Sequence, residues 1–137
     1  VDGETAVTDL ERTDDNREVI RTFVSSVLIG RETEQLPDFV DAACTEHSPQ
    51  LSDGLSALHD ALTRQQENGT PFVQFRRLHR LLAEGNFVLS VCEGYKDGVH
   101  TSFFDLYRLE NSKIVEHWDT TEKIPPRNEW KNDNGKF

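Results

Sequence analysis

The residues best suited to acid–base chemistry lie in one stretch near the carboxyl end, from Val99 to Pro125. It reads VHTSFFDLYRLENSKIVEHWDTTEKIP, with histidines and acids set among apolar and aromatic residues. A carboxyl group with apolar walls has a raised pKa, so it can take a proton from a carbon next to a carbonyl and return it later. Asp119 is the candidate for this acid and base. The alternatives are an ion pair with His117 or Arg108 and a position in solvent at the end of a strand.

Three histidines are candidate hydrogen-bond donors to the ligand. His117 and His79 lie in strand-like segments, whereas His47 lies in the polar loop TEHSPQLSDG. Donors held where negative charge develops stabilise an enolate oxygen, so His117 and His79 are expected to act beside Asp119. His47 is expected above the mouth of the pocket. The alternative for each is a core histidine whose hydrogen bonds are satisfied by the protein.

A metal centre is a second interpretation of the same residue types. Imidazole and carboxylate suit zinc or iron, and His47, His79 and His117 with Asp119 or Glu93 supply both. Their spacing is dispersed, without an HxH or HxxxH pair. We therefore expect neither a metal nor a cofactor. Glu93 is expected to pair with Arg77 or with a histidine, because a buried acid needs a partner.

The elements that position these residues change from helical to strand periodicity along the chain. Residues 16–30 predict a first helix, LPDFVDAAC a short second one and residues 52–69 a third. The strand-like segments are FVQFRRLHRLLA, FVLSVCEGYK, VHTSFFDLYRLE and KIVEHWDTTEKI. Helices followed by a strand meander predict an α+β fold in which a curved antiparallel sheet folds over helices.

Two short turns predict which strand residues share a face. If Asn111–Ser112 and Asp97–Gly98 are two-residue hairpin loops, the pairing of the last three strands is fixed. The face with the mixture typical of a ligand pocket then carries Val91, Glu93, Tyr95, His100, Ser102, Phe104, Leu106, His117 and Asp119. The opposite face carries Asp105, Tyr107, Glu116 and Trp118. The residues expected to bind a small-molecule ligand are His47, Glu93, Phe104, Tyr95, His100 and Leu106.

The first strand of the meander has two alternative registers. The preferred three-residue loop EGN places His79 on the pocket face, with Phe75, Arg77 and Leu81. A two-residue loop places Leu78 and Arg80 there instead. A slip by one residue exchanges every side chain between the faces, so this register decides whether His79 reaches the ligand.

Large aromatic residues on the opposite face are candidates for a subunit interface. Trp118 and Tyr107 combine a large apolar surface with a polar group, as interface residues commonly do. We expect a homodimer that uses these two residues on the outer face of the sheet. The alternative is simple packing under the polar tail RNEWKNDNGKF.

Composition argues against several other partners. The 137 residues carry a formal net charge of −10, and Lys and Arg are not clustered, so nucleic acid binding is not expected. No apolar run approaches the roughly 20 residues needed to span a bilayer. Cys44 and Cys92 lack CxxC spacing. They are expected to be buried free thiols, consistent with a cytoplasmic protein.

The run LHRLLAEGNFVLSVCEGYKDGVHTSFFDLYRLENSKIVEHWDTTEKIP, with CTEHSPQLSDGLSAL before it, resembles the SnoaL-like proteins of the nuclear transport factor 2-like (NTF2-like, cystatin-like) superfamily. The resemblance implies a SnoaL-like domain over residues 16–126, after an acidic extension of residues 1–15. Residues 127–137 are then a polar tail of the same domain or a dimer contact. The implied fold is a cone-shaped α+β barrel, with N-terminal helices packed in a curved antiparallel sheet of four to six strands.

The resemblance also implies a chemistry. The founding members are polyketide cyclases that close rings by aldol condensation with a pocket aspartate, without metal or cofactor, and are usually dimeric through the outer sheet face. The matching position in this sequence is Asp119.

Three functional hypotheses follow. The first is a cofactor-free lyase or isomerase of a small to medium carbonyl compound, with Asp119, His117 and His79 as catalytic residues. The second is a ligand-binding module or dimeric scaffold without turnover. The third is a hydrolase of the limonene-epoxide-hydrolase type, which needs an Asp-Arg-Asp cluster; Arg108 and Asp119 supply part of it.

Overall fold

The helical half of the chain begins close to where the sequence predicts. The computed structural model describes residues 2–137, in which helix α1 spans Thr13–Phe23 and continues as a π-helical segment, Val24–Ile29. Helix α2 spans Leu36–Phe39 and helix α3 spans Leu55–Thr63. Single 3-10 turns are Leu10–Arg12, Thr33–Gln35 and Arg127–Glu129. Among residues 2–137, no helix has the length and apolar character that crossing a membrane requires.

Five strands form one mixed sheet. They are β1 (Val40–Glu46), β2 (Val73–Glu84), β3 (Phe87–Lys96), β4 (Val99–Glu110) and β5 (Lys113–Lys123). Their order is β1-β5-β4-β3-β2, in which β1 runs parallel to β5 and the other neighbours are antiparallel. The α+β class is confirmed, but β1 and β2 are free edges, so the sheet is open and does not close into a barrel.

Helix α1 and its π-helical continuation cover one face of the sheet, which we call the inner face. Ile20, Phe23, Val24 and Val27 are at most 2% exposed, as apolar residues at helical spacing predict. The ring of Phe23 meets that of Tyr107 edge-on, with 5.8 Å between centroids. This contact identifies the side of β4 that carries Tyr107 as inner.

Residues 40–46 form strand β1 where the sequence predicts the end of a helix. Helix α2 ends after one turn, and Val40 then pairs with Ile114 while Glu46 pairs with His117. The apolar spacing of this segment fits either period. Without β1, the backbone groups on this edge of β5 would lack strand partners, and pairing with them favours a strand over a helix.

A β-bulge at Val115 interrupts the hairpin of β4 and β5. Leu109 pairs with Ile114 as the Asn111–Ser112 turn predicts, but Arg108 pairs with Glu116, so Val115 has no partner on β4. Every later residue of β5 is thereby shifted by one position against β4. A simple two-residue turn does not reveal such an insertion.

The bulge reverses the predicted face of β4. Asp105 pairs with Asp119, and Tyr107 pairs with His117. The inner face therefore carries Phe103, Asp105, Tyr107, His117, Asp119 and Thr121. The outer face carries His100, Ser102, Phe104, Leu106, Glu116 and Trp118. The inward positions of His117 and Asp119 and the outward positions of Glu116 and Trp118 are as predicted, whereas Phe104 and Leu106 face outwards and Asp105 and Tyr107 face inwards.

The register between β3 and β4 is as predicted, and that between β2 and β3 is not. Tyr95 pairs with His100, across the Asp97–Gly98 turn. Strand β2 is joined to β3 by a two-residue loop and has register shifts between Phe75 and Arg77 and between Leu78 and Arg80. Because of these irregularities, β2 contributes Phe75 to the inner face and His79 to the outer face.

Both ends of the described chain lie on the outer face. The indole Nε1 of Trp118 donates to the carbonyl oxygen of Asp2 at 3.3 Å. The ring of Phe137 stacks on that of His79, with 4.1 Å between centroids. In the tail, the indole Nε1 of Trp130 donates to the carbonyl oxygen of Pro125 at 2.8 Å.

Candidate active site

A cavity of about 170 Å³ lies between the inner face of the sheet and helix α3. Its apolar walls include Phe23, Leu28, Val40, Leu58, Leu62, Phe72, Phe75, Phe103 and Ile114. Its polar lining includes Glu46, Ser48, Gln50, Arg64, Lys96, Asp105, Tyr107, His117, Asp119 and Thr121. A cavity of about 150 Å³ holds one benzene molecule. The volume of this cavity is therefore close to that of a cavity that holds one small organic molecule, and much of its lining is apolar.

The cavity contains a histidine held between two carboxyl groups. His117 Nε2 lies 2.8 Å from Asp105 Oδ1, and His117 Nδ1 lies 2.9 and 2.8 Å from Glu46 Oε1 and Oε2. Strands β5, β4 and β1 supply one residue each, and all three side chains are at most 12% exposed. A carboxylate only accepts hydrogen bonds, so His117 can serve both partners as a donor when it is an imidazolium.

Burial and hydrogen bonding act in opposite directions on this pair. Burial disfavours the imidazolium, but the hydrogen bonds from His117 to Asp105 and Glu46 outweigh it and raise the pKa of His117 to about 10. Burial raises the pKa of Asp105, although its hydrogen bond with His117 opposes that rise. His117 is therefore cationic at neutral pH, beside a carboxylate that is more basic than an exposed one.

Asp105 has one oxygen free for a further partner. Its Oδ1 accepts from His117, whereas Oδ2 is buried and has no hydrogen-bond partner among residues 2–137. Leaving such an oxygen unpaired costs about 1–3 kcal/mol, and more when it is charged. The side chain of Asp105 also lines the cavity.

Tyr107 is the neutral donor of the site. It lines the cavity, and its ring stacks on that of His117 with 5.2 Å between centroids. Burial and the nearby carboxylate of Asp105 raise the pKa of Tyr107 well above its usual value. Its phenol therefore stays protonated and able to donate a hydrogen bond.

Asp119 lines the cavity but is exposed to solvent. Because it is exposed, it lacks the enclosing apolar walls expected of the proton-transferring acid. The enclosed carboxyl group is that of Asp105, the strand partner of Asp119. Asp119 thus lies at the solvent-exposed rim of the cavity.

Cys44 also lines the cavity, and burial raises the pKa of its thiol to about 12. At neutral pH the group is a thiol, and only the thiolate is strongly nucleophilic. Cys44 therefore contributes to packing. Cys44 and Cys92 are both free and buried, as predicted.

Several predicted ligand contacts lie on the outer face and away from the cavity. Glu93 accepts hydrogen bonds from His79 at 3.0 Å and His100 at 2.9 Å, and these bonds lower the pKa of Glu93. Tyr95 lies beside His100, with 5.6 Å between ring centroids. Glu93 does pair with histidines, but the placement of all four residues in the pocket is wrong. The predicted faces are wrong because the register shifts in β2 and the bulge at Val115 change which strand residues share a face with His117 and Asp119.

His47 and Arg108 form a second ion-pair cluster on the outer face. Glu116 lies 2.7 Å from His47 Nε2 and 2.7 Å from Arg108 Nε. Burial opposes ionisation of Glu116, but these two hydrogen bonds lower its pKa. His47 stacks on Trp118, with 4.7 Å between centroids and 2° between planes. The placement of His47 at the cavity mouth is therefore wrong, and Arg108 is not available for an Asp-Arg-Asp cluster in the cavity.

Three further residues of β4 lie elsewhere than the sequence predicts. Phe104 and Leu106 are partly buried on the outer face and do not line the cavity. Tyr107, expected at a dimer interface, is 3% exposed and packs against helix α1. The homodimer itself stays a prediction, with Trp118 as its outer-face candidate.

The histidine–carboxylate metal site considered from the sequence is divided between the two faces. His117 lies inside, whereas His47 and His79 lie on the outer face. Among residues 2–137, no three His, Cys, Asp or Glu side chains are grouped so as to hold a metal ion.

Three central residues escape the sequence reasoning: Glu46, Asp105 and Tyr107. Glu46 lies in a segment that reads as a polar loop. Asp105 and Tyr107 lie on β4, where both alternating sets of residues are similarly apolar. The alternating set that contains Phe104 and Leu106 also contains Arg108, a charged side chain that favours an outward position. Arg108 is therefore a sequence signal that Phe104 and Leu106 face outwards.

Comparisons with known proteins support the fold. No family model and no curated protein matches the sequence. Among solved structures, a ketosteroid isomerase-like protein from Kribbella flavida has a TM-score of 0.71 at 15% identity, over 92% of this chain and 93% of that one. An NTF2-like protein of unknown function from Burkholderia xenovorans has a TM-score of 0.69 at 15% identity, over 90% and 99% of the chains. A SnoaL-like polyketide cyclase from Agrobacterium tumefaciens has a TM-score of 0.61 at 19% identity, over 79% and 91%. At these identities the likeness establishes an NTF2-like, cystatin-like fold.

Proposed function

We propose that this chain, which has the NTF2-like fold, catalyses proton transfer at the carbon next to the carbonyl group of a small, largely apolar compound. The observation that carries the proposal is the enclosed carboxyl group of Asp105. One of its oxygens is held by His117, and the other is buried and has no hydrogen-bond partner within the described residues 2–137. A base used at neutral pH needs this combination of raised basicity and a free lone pair.

Each group has a definite role in the proposed step. The carboxylate of Asp105 takes the proton, and the electrons of the broken C–H bond form the carbon–carbon double bond of an enolate. The negative charge moves to the carbonyl oxygen, where the phenol of Tyr107 donates a hydrogen bond. Asp105 then returns the proton, either to the same carbon or to a conjugated one. Return to a conjugated carbon makes the reaction an isomerisation.

His117 and Glu46 prepare Asp105 for this step. The imidazolium holds Oδ1 of Asp105, and Glu46 holds the imidazolium from the other side. This arrangement fixes the orientation of the carboxyl group without taking up its second oxygen. If the cavity holds a second carbonyl group, the enolate carbon attacks it, and the resulting alkoxide takes the proton back from Asp105 to give the aldol addition product.

Hydrolysis of a small epoxide is the second candidate. The observation that favours it is the pairing of Asp105 with Asp119 across β4 and β5, which places two carboxyl groups on one cavity wall. One carboxyl group can activate water while the other protonates the departing oxygen, with His117 as the local cation. Incubation with cyclohexene oxide and chromatographic detection of the diol tests this candidate.

Exchange of carbon-bound protons in D2O tests the main proposal. Ketones such as 2-heptanone and cyclohexanone are incubated with the protein, and deuterium next to the carbonyl is followed by NMR. We expect acceleration by the wild type, and a loss of about 100-fold or more in Asp105→Asn, the range for removal of a general base. Asp133→Asn, which removes a fully exposed carboxylate, is the matched control.

Two results would contradict the proposal. One is equal exchange in the wild type and Asp105→Asn. The other is tight binding of these ketones with no exchange, which would indicate a binding module without turnover.

A further inference from the structure

Two basic side chains besides His117 line the cavity, in a chain dominated by acids. The protein has 25 Asp and Glu residues against 15 Lys and Arg. In the described part of the chain, residues 2–137, the only Lys and Arg side chains that line the cavity are Arg64 and Lys96. Basic residues are therefore scarce overall, yet two of them border the space where a ligand binds.

Backbone contacts bring Arg64 and Lys96 to the same end of the cavity. Arg64 follows the last residue of helix α3, and its carbonyl oxygen accepts from the backbone N–H of Phe72 at 2.9 Å. The next residue, Val73, pairs with Lys96 across β2 and β3. The two cations are thus positioned by three elements that meet at one edge of the site.

Neither cation has an acidic partner. Among residues 2–137, no carboxylate oxygen lies within 4.0 Å of the side-chain nitrogens of Arg64 or Lys96. Glu67 and Asp97 border the neighbouring groove, but they make no salt bridge to Arg64. The guanidinium of Arg64 instead lies over the ring of Phe72, 3.8 Å from its centroid. This aromatic contact orients Arg64 and leaves its hydrogen-bond donors free.

The cations are well separated from Asp105. Lys96 pairs with Val99, and Asp105 lies six residues farther along β4, which is about 20 Å of extended strand. Long Lys and Arg side chains shorten this separation, and the wall between the two ends includes Phe72, Phe75 and Phe103. A ligand that contacts both ends has a polar group at each end and an apolar body between them.

We propose that Arg64 and Lys96 bind a carboxylate on the substrate. The substrate class is then an elongated oxo acid whose carbonyl lies at Asp105 and whose carboxylate lies several carbons away. This inference rests on the proposed function for the position of the carbonyl. The carboxylate site itself rests on the two unpaired cations and is measured by binding alone.

Calorimetric titration of matched probes tests the carboxylate site. The probes are 6-oxoheptanoate, 8-oxononanoate and 10-oxoundecanoate, each compared with its uncharged methyl ester. We expect the wild type to bind the best acid about tenfold more tightly than its ester, as two partly exposed ion pairs allow. The double variant Arg64→Gln/Lys96→Gln is expected to bind acid and ester about equally, with unchanged affinity for the ester.

A control with the same loss of charge separates a specific site from the general field of the protein. Arg80→Gln/Lys123→Gln removes two exposed cations that do not line the cavity. We expect it to keep the preference for the acid. Equal binding of acid and ester by the wild type, no binding of either, or a preference that survives Arg64→Gln/Lys96→Gln would each overturn the proposal.

Failure of the carboxylate site and failure of the proposed function give different results. If Asp105→Asn keeps the preference for the acid, and neither the wild type nor any variant exchanges protons, the carboxylate site stands and the proton-transfer chemistry fails. If the wild type exchanges protons of acids and esters equally and binds them equally, the chemistry stands and the carboxylate site fails.

Discussion

His117 Nε2 donates to Asp105 Oδ1 across 2.8 Å inside the cavity, and Glu46 holds the opposite nitrogen of the same ring. This relationship gives the site its chemical character. It keeps a positive charge beside an enclosed carboxylate, and it leaves Oδ2 of Asp105 without a partner in the part of the chain that the structure describes, residues 2–137.

Removal of the Glu46 carboxylate should make His117 less basic. Glu46→Gln keeps the size of the side chain and can still accept a hydrogen bond from His117. The pKa of His117, raised to about 10 in the wild type, should fall because one of its two carboxylate partners is lost. NMR titration of the His117 ring measures this change. An unchanged His117 pKa would contradict the role given to Glu46.

Stability should depend on pH through His117. Its pKa is raised in the folded protein from 6.5 to about 10, so the stabilisation is complete below pH 6.5 and is lost as pH rises through about 10. Breaking a buried pair costs about 3–5 kcal/mol, so His117→Gln should lose stability of this order near pH 6. At pH 10 and above, the difference from the wild type should shrink. Urea denaturation at several pH values measures the unfolding free energy, and a constant difference would argue against a cationic His117.

Tyr107→Phe tests the donor to the carbonyl oxygen. Loss of one donor to a developing oxyanion typically lowers the rate about 100-fold to 1,000-fold. We expect a loss in this range in the exchange rate of saturated enzyme, with little change in ketone affinity, because the hydrogen bond strengthens as the enolate forms. Cys92→Ala, a buried change outside the cavity, is the control for general packing effects. If Tyr107→Phe weakens only binding, Tyr107 positions the ketone and does not stabilise the enolate.

The outer-face cluster should affect stability without affecting chemistry. Glu116 is 4% exposed and is held by Arg108 and His47. Arg108→Met removes one partner of this enclosed carboxylate, so we expect the unfolding free energy to fall by about 3 kcal/mol. Arg77→Met, on the outer face of β2 and without a salt bridge, should cost far less. A large loss of proton exchange in folded Arg108→Met would show that Arg108 belongs to the active site.

The fold class and most strand positions can be predicted from the sequence because the signals for them are local. Hydrophobic period, the Asp97–Gly98 turn and the Asn111–Ser112 turn are all visible in a few residues. Features of the sheet that depend on pairing between distant segments cannot be predicted in this way. Strand β1 exists because it pairs with β5, and the Val115 bulge changes faces without a sequence signature.

These failures explain why the candidate site was only partly predicted. His117 and Asp119 follow the bulge on β5 and were placed inside as expected. For β4 the sequence predicts the wrong face, so it places Phe104, and not Asp105, in the cavity beside Asp119. Histidines in the strands are also a misleading sign of a ligand pocket here, because His79 and His100 pair with a carboxylate on the outer face.

The central claim is that the enclosed Asp105, and not the exposed Asp119, is the base. The most direct measurement compares the proton-exchange rates of Asp105→Asn and Asp119→Asn, each folded as judged by circular dichroism, on the ketone that the wild type exchanges fastest. The account predicts a loss of about 100-fold or more for Asp105→Asn and a rate close to that of the wild type for Asp119→Asn. A large loss in Asp119→Asn with near-normal exchange in Asp105→Asn would contradict it.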